Sequence, residues 1–172
     1  AGNFQLMAWE RMHKPNDVAT VYIEGDGFNQ SKKSDTPVNA PQLEPTPENP
    51  VALHLASRDL SKNLAYIARP CQYMMNPESK GCSLAYTKSQ RFAPEVMNAY
   101  EAALNDIAAR YHITGFHLVG YDGGANIAAV LAARRQDVLS LRTVAGNLNP
   151  ELTAENNETT GLASSAVLGI DY

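Results

Sequence analysis

The amino-acid sequence predicts an α/β fold, a mostly parallel sheet flanked by helices, and two observations support this prediction. First, stretches rich in β-branched residues alternate with stretches whose apolar residues recur every three or four positions, and this alternation is typical of strands joined by helical crossovers. Second, the 172-residue chain is 44% hydrophobic and 19% charged, which is enough apolar material to bury the core of one domain. We therefore predict a single domain over residues 1–172.

The N-terminal half contains three predicted strands, one helix and one long loop. Residues 5–12 and 18–24 predict strands, the second of which is β-branched and aromatic and is bounded by turn residues. Helical spacing over residues 51–59 leads to a short predicted strand at Leu64–Ala68. Residues 29–50 contain five prolines, too many for the interior of a strand or helix, and predict a proline-rich loop within the domain.

The C-terminal half repeats the alternation more clearly. Residues 94–111 are the strongest helix prediction, because a proline suits the first turn and an apolar stripe follows. Residues 116–119 predict a buried strand, residues 124–135 an alanine-rich helix, and residues 140–145 another strand. The chain then becomes polar and irregular, apart from residues 164–170.

Charge and composition argue against several classes of function. With a net charge of -4, the chain lacks the basic surface that binds a phosphate backbone, so we expect no nucleic-acid partner. No apolar run approaches the ~20 residues that span a bilayer, so we expect no membrane span. Two cysteines without paired histidines do not make a zinc site, and we expect no metal and no cofactor.

The two cysteines, Cys71 and Cys82, lie in a segment rich in proline and glycine. They are either two unrelated free thiols or a disulfide that staples a surface loop. A disulfide requires an oxidising compartment, and in that case we expect a periplasmic or secreted protein.

The sequence Gly120-Tyr121-Asp122-Gly123-Gly124 stands between a predicted strand and a predicted helix. This is the context of a nucleophile elbow, in which a tight turn exposes the central side chain at the N-terminus of the helix. An aspartate can itself attack carbon and form a covalent ester, so Asp122 is a candidate nucleophile. Alternatively, Asp122 only caps the helix, as aspartate often does, and an engineered replacement of a serine would leave the same pattern. A phosphate-binding loop is disfavoured, because neither a following Lys-Ser/Thr pair nor G-x-G-x-x-G is present.

A second glycine-rich turn, Gly25-Asp26-Gly27-Phe28, follows an early predicted strand. In hydrolases a loop at this place contributes one backbone N–H to the oxyanion hole, and the residue after the nucleophile contributes another. The candidate donors are therefore Gly27, Phe28 and Gly123.

Five blocks together resemble bacterial α/β-hydrolase-fold proteins of the exported serine esterase (lipase-like) type. The resemblance covers about Gln5 to Pro150, and the blocks keep the family's order. They read YIEGDGF, ARPCQY, RFAPEV, HLVGYDGGANIAAVLAARR and LRTVAGNL. The resemblance implies the α/β-hydrolase fold, a small ester-like substrate and a disulfide between Cys71 and Cys82. It also implies serine at the position that Asp122 occupies, which is a departure from the family.

A second departure concerns the histidines, all of which precede the elbow: His13, His54, His112 and His117. None matches the family's catalytic histidine, which together with the triad acid follows LRTVAGNL. His117, on the strand that enters the elbow, is predicted to be either a core histidine or one whose hydrogen bonds are satisfied, rather than a catalytic residue. We therefore expect a fold that is C-terminally incomplete, with acid and base beyond Tyr172 or on a second chain or C-terminal fragment. The chain alone is then expected to be a poor catalyst.

Three functions remain open from the sequence. The first is a hydrolase derived from a carboxylic ester hydrolase. The second is a hydrolase with a true aspartate nucleophile, of the epoxide hydrolase or haloalkane dehalogenase type. The third is a non-catalytic, hydrolase-like binding protein.

Overall fold

The computed structural model of the chain describes residues 5–27, 45–74, 81–87, 89–146 and 148. The predicted proline-rich loop lies mostly outside the described residues, and the segment 164–170 lies outside them entirely. The strands are β1 (Ala8–Met12), β2 (Ala19–Ile23), β3 (Asn63–Ile67), β4 (Phe116–Tyr121) and β5 (Val138–Val144). The helices are α1 (Val51–Arg58), α2 (Pro94–Tyr111) and α3 (Gly123–Arg134), with a short 3₁₀ helix at Leu84–Thr87.

The α/β prediction is confirmed: each strand and helix predicted within the described ranges is present, and all but α2 have shifted ends. Strand β4 continues to Tyr121, two residues beyond the prediction, because Gly120 and Tyr121 still pair with β5. Helix α3 begins at Gly123, because the carbonyl of Asp122 already accepts the N–H of Ala125. The 3₁₀ helix was not predicted. His112 ends α2 in the left-handed conformation.

The five strands form one sheet in the order β1-β3-β2-β4-β5. Strand β1 pairs antiparallel with β3, and the other neighbouring pairs are parallel. Strand β2 lies at the centre and is buried along its whole length, as expected for a parallel strand covered on both faces.

The two faces of the sheet bury different clusters. Helices α2 and α3 pack on one face, where Val21, Ile67 and Leu118 lie at their interface with the sheet. Helix α1 packs on the opposite face against Tyr22 and Tyr66. This separation follows from the period of two in a strand, which sends neighbouring side chains to opposite faces.

The register of the two central strands sets the position of the loops that follow them. Ile23 at the end of β2 lies beside Gly120 near the end of β4. Because the strands are parallel, the segment 24–27 and the turn at Asp122 emerge at the same edge of the sheet. In open α/β sheets this carboxyl edge is the usual place for ligands.

No helix in the part of the chain that the structure describes is long and apolar enough to cross a membrane.

Candidate functional site

Asp122 occupies the turn between β4 and α3 in an unusual backbone conformation. Its φ is 49° and its ψ is -120°, a combination that residues with a Cβ rarely adopt and that costs about 1–3 kcal/mol. Its side chain makes no capping hydrogen bond to the helix, although Asp122 stands at the N-cap position. The residue is exposed to solvent. The geometry therefore gives no support to the interpretation of Asp122 as a helix cap.

The small residues around Asp122 are required by close backbone contacts. A Cβ added at Gly124 would lie against the carbonyl oxygens of Ile23 and Glu24, closer than real Cβ atoms approach. A Cβ at Gly120 would lie 2.5 Å from the Cα of Ala125. The strand, the turn and the helix can pack this closely only because both positions are glycine, as an elbow requires.

The second glycine-rich turn faces the elbow across the edge of the sheet. The backbone N–H of Asp26 donates a long hydrogen bond of 3.4 Å to Oδ2 of Asp122. Gly27, one of the predicted donors, adopts a φ of 72° and packs near Pro45 and Gln72. Phe28, another predicted donor, lies outside the described residues. Asp26, which the sequence analysis did not single out, thus provides the N–H that contacts Asp122.

Gly123, the predicted donor on the elbow side, begins α3 and is buried. A Cβ at Gly123 would lie 2.6 Å from Cγ of Asp26, so the carboxylate of Asp26 packs directly against this glycine. The two glycine-rich turns are therefore in contact.

The carboxylate of Asp26 lies between two arginines. Nη2 of Arg69 lies 3.0 Å from its Oδ1, and Nε of Arg91 lies 3.1 Å from its Oδ2. Both guanidinium groups also stack on the ring of Phe92, at 5.1 Å and 4.9 Å from its centroid. Neither arginine was predicted, since nothing in the local pattern of RPCQY or QRFAP indicates an ion pair with a distant turn.

Glu24, directly after β2, is a buried carboxylate next to the site. It is 1% exposed and accepts hydrogen bonds from the N–H groups of Gly25, Ala52 and Leu53. The hydroxyl of Tyr66 donates a fourth, at 3.0 Å. Burial, with the neighbouring Tyr73 hydroxyl and the Glu24 carboxylate, raises the pKa of Tyr66 above its ordinary value. Glu24 therefore joins the loop at Gly25 to the N-terminus of α1.

The disulfide implied by the family resemblance is present. Cys71 and Cys82 are bonded, with their Cα atoms 5.6 Å apart. The alternative that Cys71 and Cys82 are two unrelated free thiols is therefore wrong. Gln72, adjacent to Cys71, is fully buried and donates from Nε2 to the carbonyl of Gly25 at 3.0 Å.

The histidines lie apart from the elbow. Nδ1 of His117 is 2.8 Å from Oγ of Ser140, which agrees with the prediction of a satisfied histidine. His13, His54 and His112 are exposed. Across the ranges that the structure describes, no hydrogen bond or ion pair joins Asp122 to a histidine, and no group of three or more metal-ligating side chains is present.

Comparison with protein-family models finds no matching family, and comparison with curated proteins finds no match. The assignment of a function therefore depends on the geometry of the site and on the sequence motifs.

Proposed function

We propose that this protein is an α/β-hydrolase, derived from a carboxylic ester hydrolase, and that Asp122 stands at the position of its nucleophile. The observation that carries the proposal is the backbone of Asp122, with a φ of 49° and a ψ of -120° on a sharp strand-to-helix turn. A strained, solvent-facing residue at the carboxyl edge of a mostly parallel sheet is typical of a nucleophile elbow.

The oxyanion hole of this enzyme would be formed by both glycine-rich turns. We assign one donor to the backbone N–H of Gly123, the residue after the nucleophile. The N–H of Asp26 is the candidate donor on the opposite loop, since it already contacts the Asp122 carboxylate. Preorganised donors of this kind stabilise the negative charge that develops on an oxygen in the transition state.

A serine at position 122 would perform ordinary ester hydrolysis on this scaffold. Its hydroxyl oxygen would attack the ester carbonyl, the alcohol would leave, and water would release the acid from the acyl-enzyme. This reaction requires a base, which we do not assign within the described residues.

One observation favours a second candidate, in which the aspartate itself is the nucleophile. The N–H of Asp26 donates to Oδ2 of Asp122, which leaves Oδ1 to attack an alkyl carbon. Attack would open an epoxide or displace a halide and form an alkyl ester of Asp122. Water, after losing a proton to a base that we do not assign within the described residues, would then add to the carboxyl carbon of that ester, and the Asp26 N–H would stabilise the oxygen that becomes negative. Collapse of this intermediate would break the ester bond, release the alcohol and regenerate the Asp122 carboxylate.

The disulfide supports a location in an oxidising compartment, periplasmic or extracellular, where such bonds form and persist.

Two measurements on the purified protein decide between the candidates. Asp122→Ser, assayed together with a downstream segment or second chain that supplies the base, is expected to gain hydrolysis of p-nitrophenyl esters over the native protein assayed in the same way, with Asp122→Ala as the control for changed packing. The native protein, incubated with epoxides and haloalkanes, is expected under the second candidate to accumulate an alkyl adduct. Intact mass would detect the adduct, peptide mapping would place it on Asp122, and Asp122→Asn would abolish it.

The outcomes separate the three functions left open by the sequence. Ester hydrolysis by Asp122→Ser supports the esterase scaffold, whereas an adduct on native Asp122 supports the aspartate nucleophile. If neither reaction occurs in a folded protein that is supplied with such a base, the hydrolase proposal is wrong and the non-catalytic binding protein is favoured.

A further inference from the structure

We infer that Arg69, Arg91 and Gln72 are positioning residues, which hold the loop at residues 25–27 so that the N–H of Asp26 faces Asp122. This inference rests on the proposed function for its catalytic consequence, but its structural claim can be tested without any activity. We call the group of Asp26, Arg69, Arg91 and Phe92 the arginine clamp.

The first step of the argument is the place of the Asp26 carboxylate. Its side chain is 23% exposed and packs against Gly123, at the N-terminus of α3 and beside the proposed oxyanion donors. An uncompensated carboxylate here would repel the negative charge that the oxyanion hole is meant to stabilise. The two guanidinium groups, at 3.0 and 3.1 Å, supply the compensating charge.

The second step is that the clamp has further attachments. The side chain of Arg69 is 4% exposed, and its Nη2 also donates to the backbone carbonyl of Arg91 at 2.7 Å. The ring of Phe92 contacts both guanidinium groups. A buried arginine that lost Asp26 would keep an uncompensated charge, which is strongly unfavourable. The ion pair therefore opposes any movement of the loop away from the elbow.

The third step is a second tether on the backbone of the same loop. Nε2 of Gln72 donates to the carbonyl of Gly25, and Oε1 of Gln72 accepts the N–H of Arg69, both at 3.0 Å. The turn at residues 69–72 thus holds the carbonyl of Gly25 through Gln72 and the side chain of Asp26 through Arg69. The Cys71–Cys82 disulfide joins this turn to the segment that follows it. Two attachments from one turn leave the Asp26 N–H little freedom to point elsewhere.

Amide hydrogen exchange on the full chain tests the structural claim. In Arg69→Gln we expect the amides of residues 25–27 to exchange about tenfold faster or more, since hydrogen bonds and ion pairs of charged groups are lost. Arg135→Gln is the matched control, because Arg135 also pairs with an aspartate, Asp137, and lies 5.7 Å above a phenylalanine ring. Its loss is expected to leave residues 25–27 within about twofold of the native rates.

A second variant covers the case in which Arg69→Gln does not fold. Arg91→Gln removes the less buried guanidinium, which is 19% exposed, and leaves Arg69 paired with Asp26, and it is expected to accelerate exchange in the same loop. Unchanged exchange at residues 25–27 in the folded variants, or an equal rise across the whole sheet, would overturn the inference.

The catalytic consequence is measured on whichever form is active, Asp122→Ser with esters or the native chain with alkyl substrates. Adding Arg69→Gln is expected to lower kcat, or the rate of adduct formation, by about tenfold or more, with little change in KM. Adding Asp26→Asn as well is expected to restore part of this loss, because the uncompensated carboxylate is gone. A double variant that is no faster than the single Arg69→Gln variant would overturn the electrostatic part of the inference. If neither form reacts, the proposed function fails, and the exchange rates still decide whether the clamp positions the loop.

Discussion

Asp122 and His112 show how different two residues with a positive φ can be. His112 ends α2 at φ 54° and ψ 43°, the left-handed conformation that commonly terminates helices. Asp122 has nearly the same φ, but its ψ of -120° lies outside that region. The backbone at Asp122 is therefore held by its surroundings, the close packing of Gly120 and Gly124, and this is the expected signature of a functional turn.

Gly124→Ala tests how tightly the elbow is packed. The added methyl group would meet two backbone oxygens, those of Ile23 and Glu24, which cannot move without displacing the central strand. We expect the free energy of unfolding to fall by about 1–3 kcal/mol, measured by urea denaturation.

Gly115→Ala is the control for this substitution. A Cβ added at Gly115 would lie 2.9 and 3.0 Å from Cδ1 and Cγ of Leu139. Leu139 is 55% exposed, so its side chain has room to move away. We expect a clearly smaller loss of stability there. Equal losses at the two glycines would contradict a special packing requirement at the elbow.

Helix α1 depends on Glu24, which follows strand β2, for the cap at its N-terminus. It has only eight residues, begins after Pro50 and receives no capping hydrogen bond from that residue. An isolated helix of this length is unstable in water. Glu24 at the end of β2 accepts the N–H groups of Ala52 and Leu53, and its negative charge is favourable at the N-terminus of the helix.

Glu24→Gln is expected to destabilise α1 and the loop at Gly25 together. The amide retains one acceptor oxygen but places an NH₂ group against N–H donors, in a site that is 1% exposed. We expect a loss of roughly 2–3 kcal/mol in the free energy of unfolding, with faster amide exchange at Ala52 and Leu53.

Glu101→Gln is the matched control, because Glu101 forms an ion pair of 3.3 Å with Arg134 on the surface. Its removal is expected to cost less than about 1 kcal/mol. If Glu24→Gln were as mild as Glu101→Gln, the assignment of Glu24 as the cap of α1 would be wrong.

Buried tyrosines connect the stability of the whole molecule to pH. The hydroxyl of Tyr22 donates to Oδ2 of Asp59 at 2.8 Å, and burial, with that hydrogen bond, raises the pKa of Tyr22 to about 12. Burial also raises the pKa of Tyr100, whose hydroxyl donates to the carbonyl of Ala68. The folded state therefore keeps these protons at a pH where an unfolded chain, with tyrosine pKa values near about 10, has lost them.

Stability is consequently expected to fall as the pH rises from about 10 to 12, by up to about 1.4 kcal/mol per pH unit for Tyr22. The stabilisation is fully present below the unfolded pKa and is lost as the pH approaches the folded one. Urea denaturation of the native chain and of Tyr22→Phe would measure the two slopes. Between about pH 10 and 12, the free energy of unfolding is expected to fall less steeply with pH for Tyr22→Phe than for the native chain. Below about pH 9, the two curves are expected to be parallel. Parallel curves throughout would contradict the raised pKa.

The order of strands and helices was predictable because it depends on short-range patterns. Residues 94–111 form α2 with the predicted bounds, since an apolar stripe and a proline in the first turn act within a few residues. The tight turn at Asp122 was also predictable from a short-range pattern. Gly120 and Gly124 flank Asp122, and a side chain at either position would collide with neighbouring backbone atoms.

The amino-acid sequence thus established the α/β architecture, the turn between β4 and α3, and the two glycine-rich segments of the site. It did not establish that Arg69 and Arg91 meet Asp26, or that Glu24 caps α1, because these partners lie far apart along the chain. Local propensity and periodicity carry no information about such pairs. Asp26 meets Arg69 because the parallel register of β2 and β3 brings the carboxyl ends of these strands together. Burial then makes each charge require a partner.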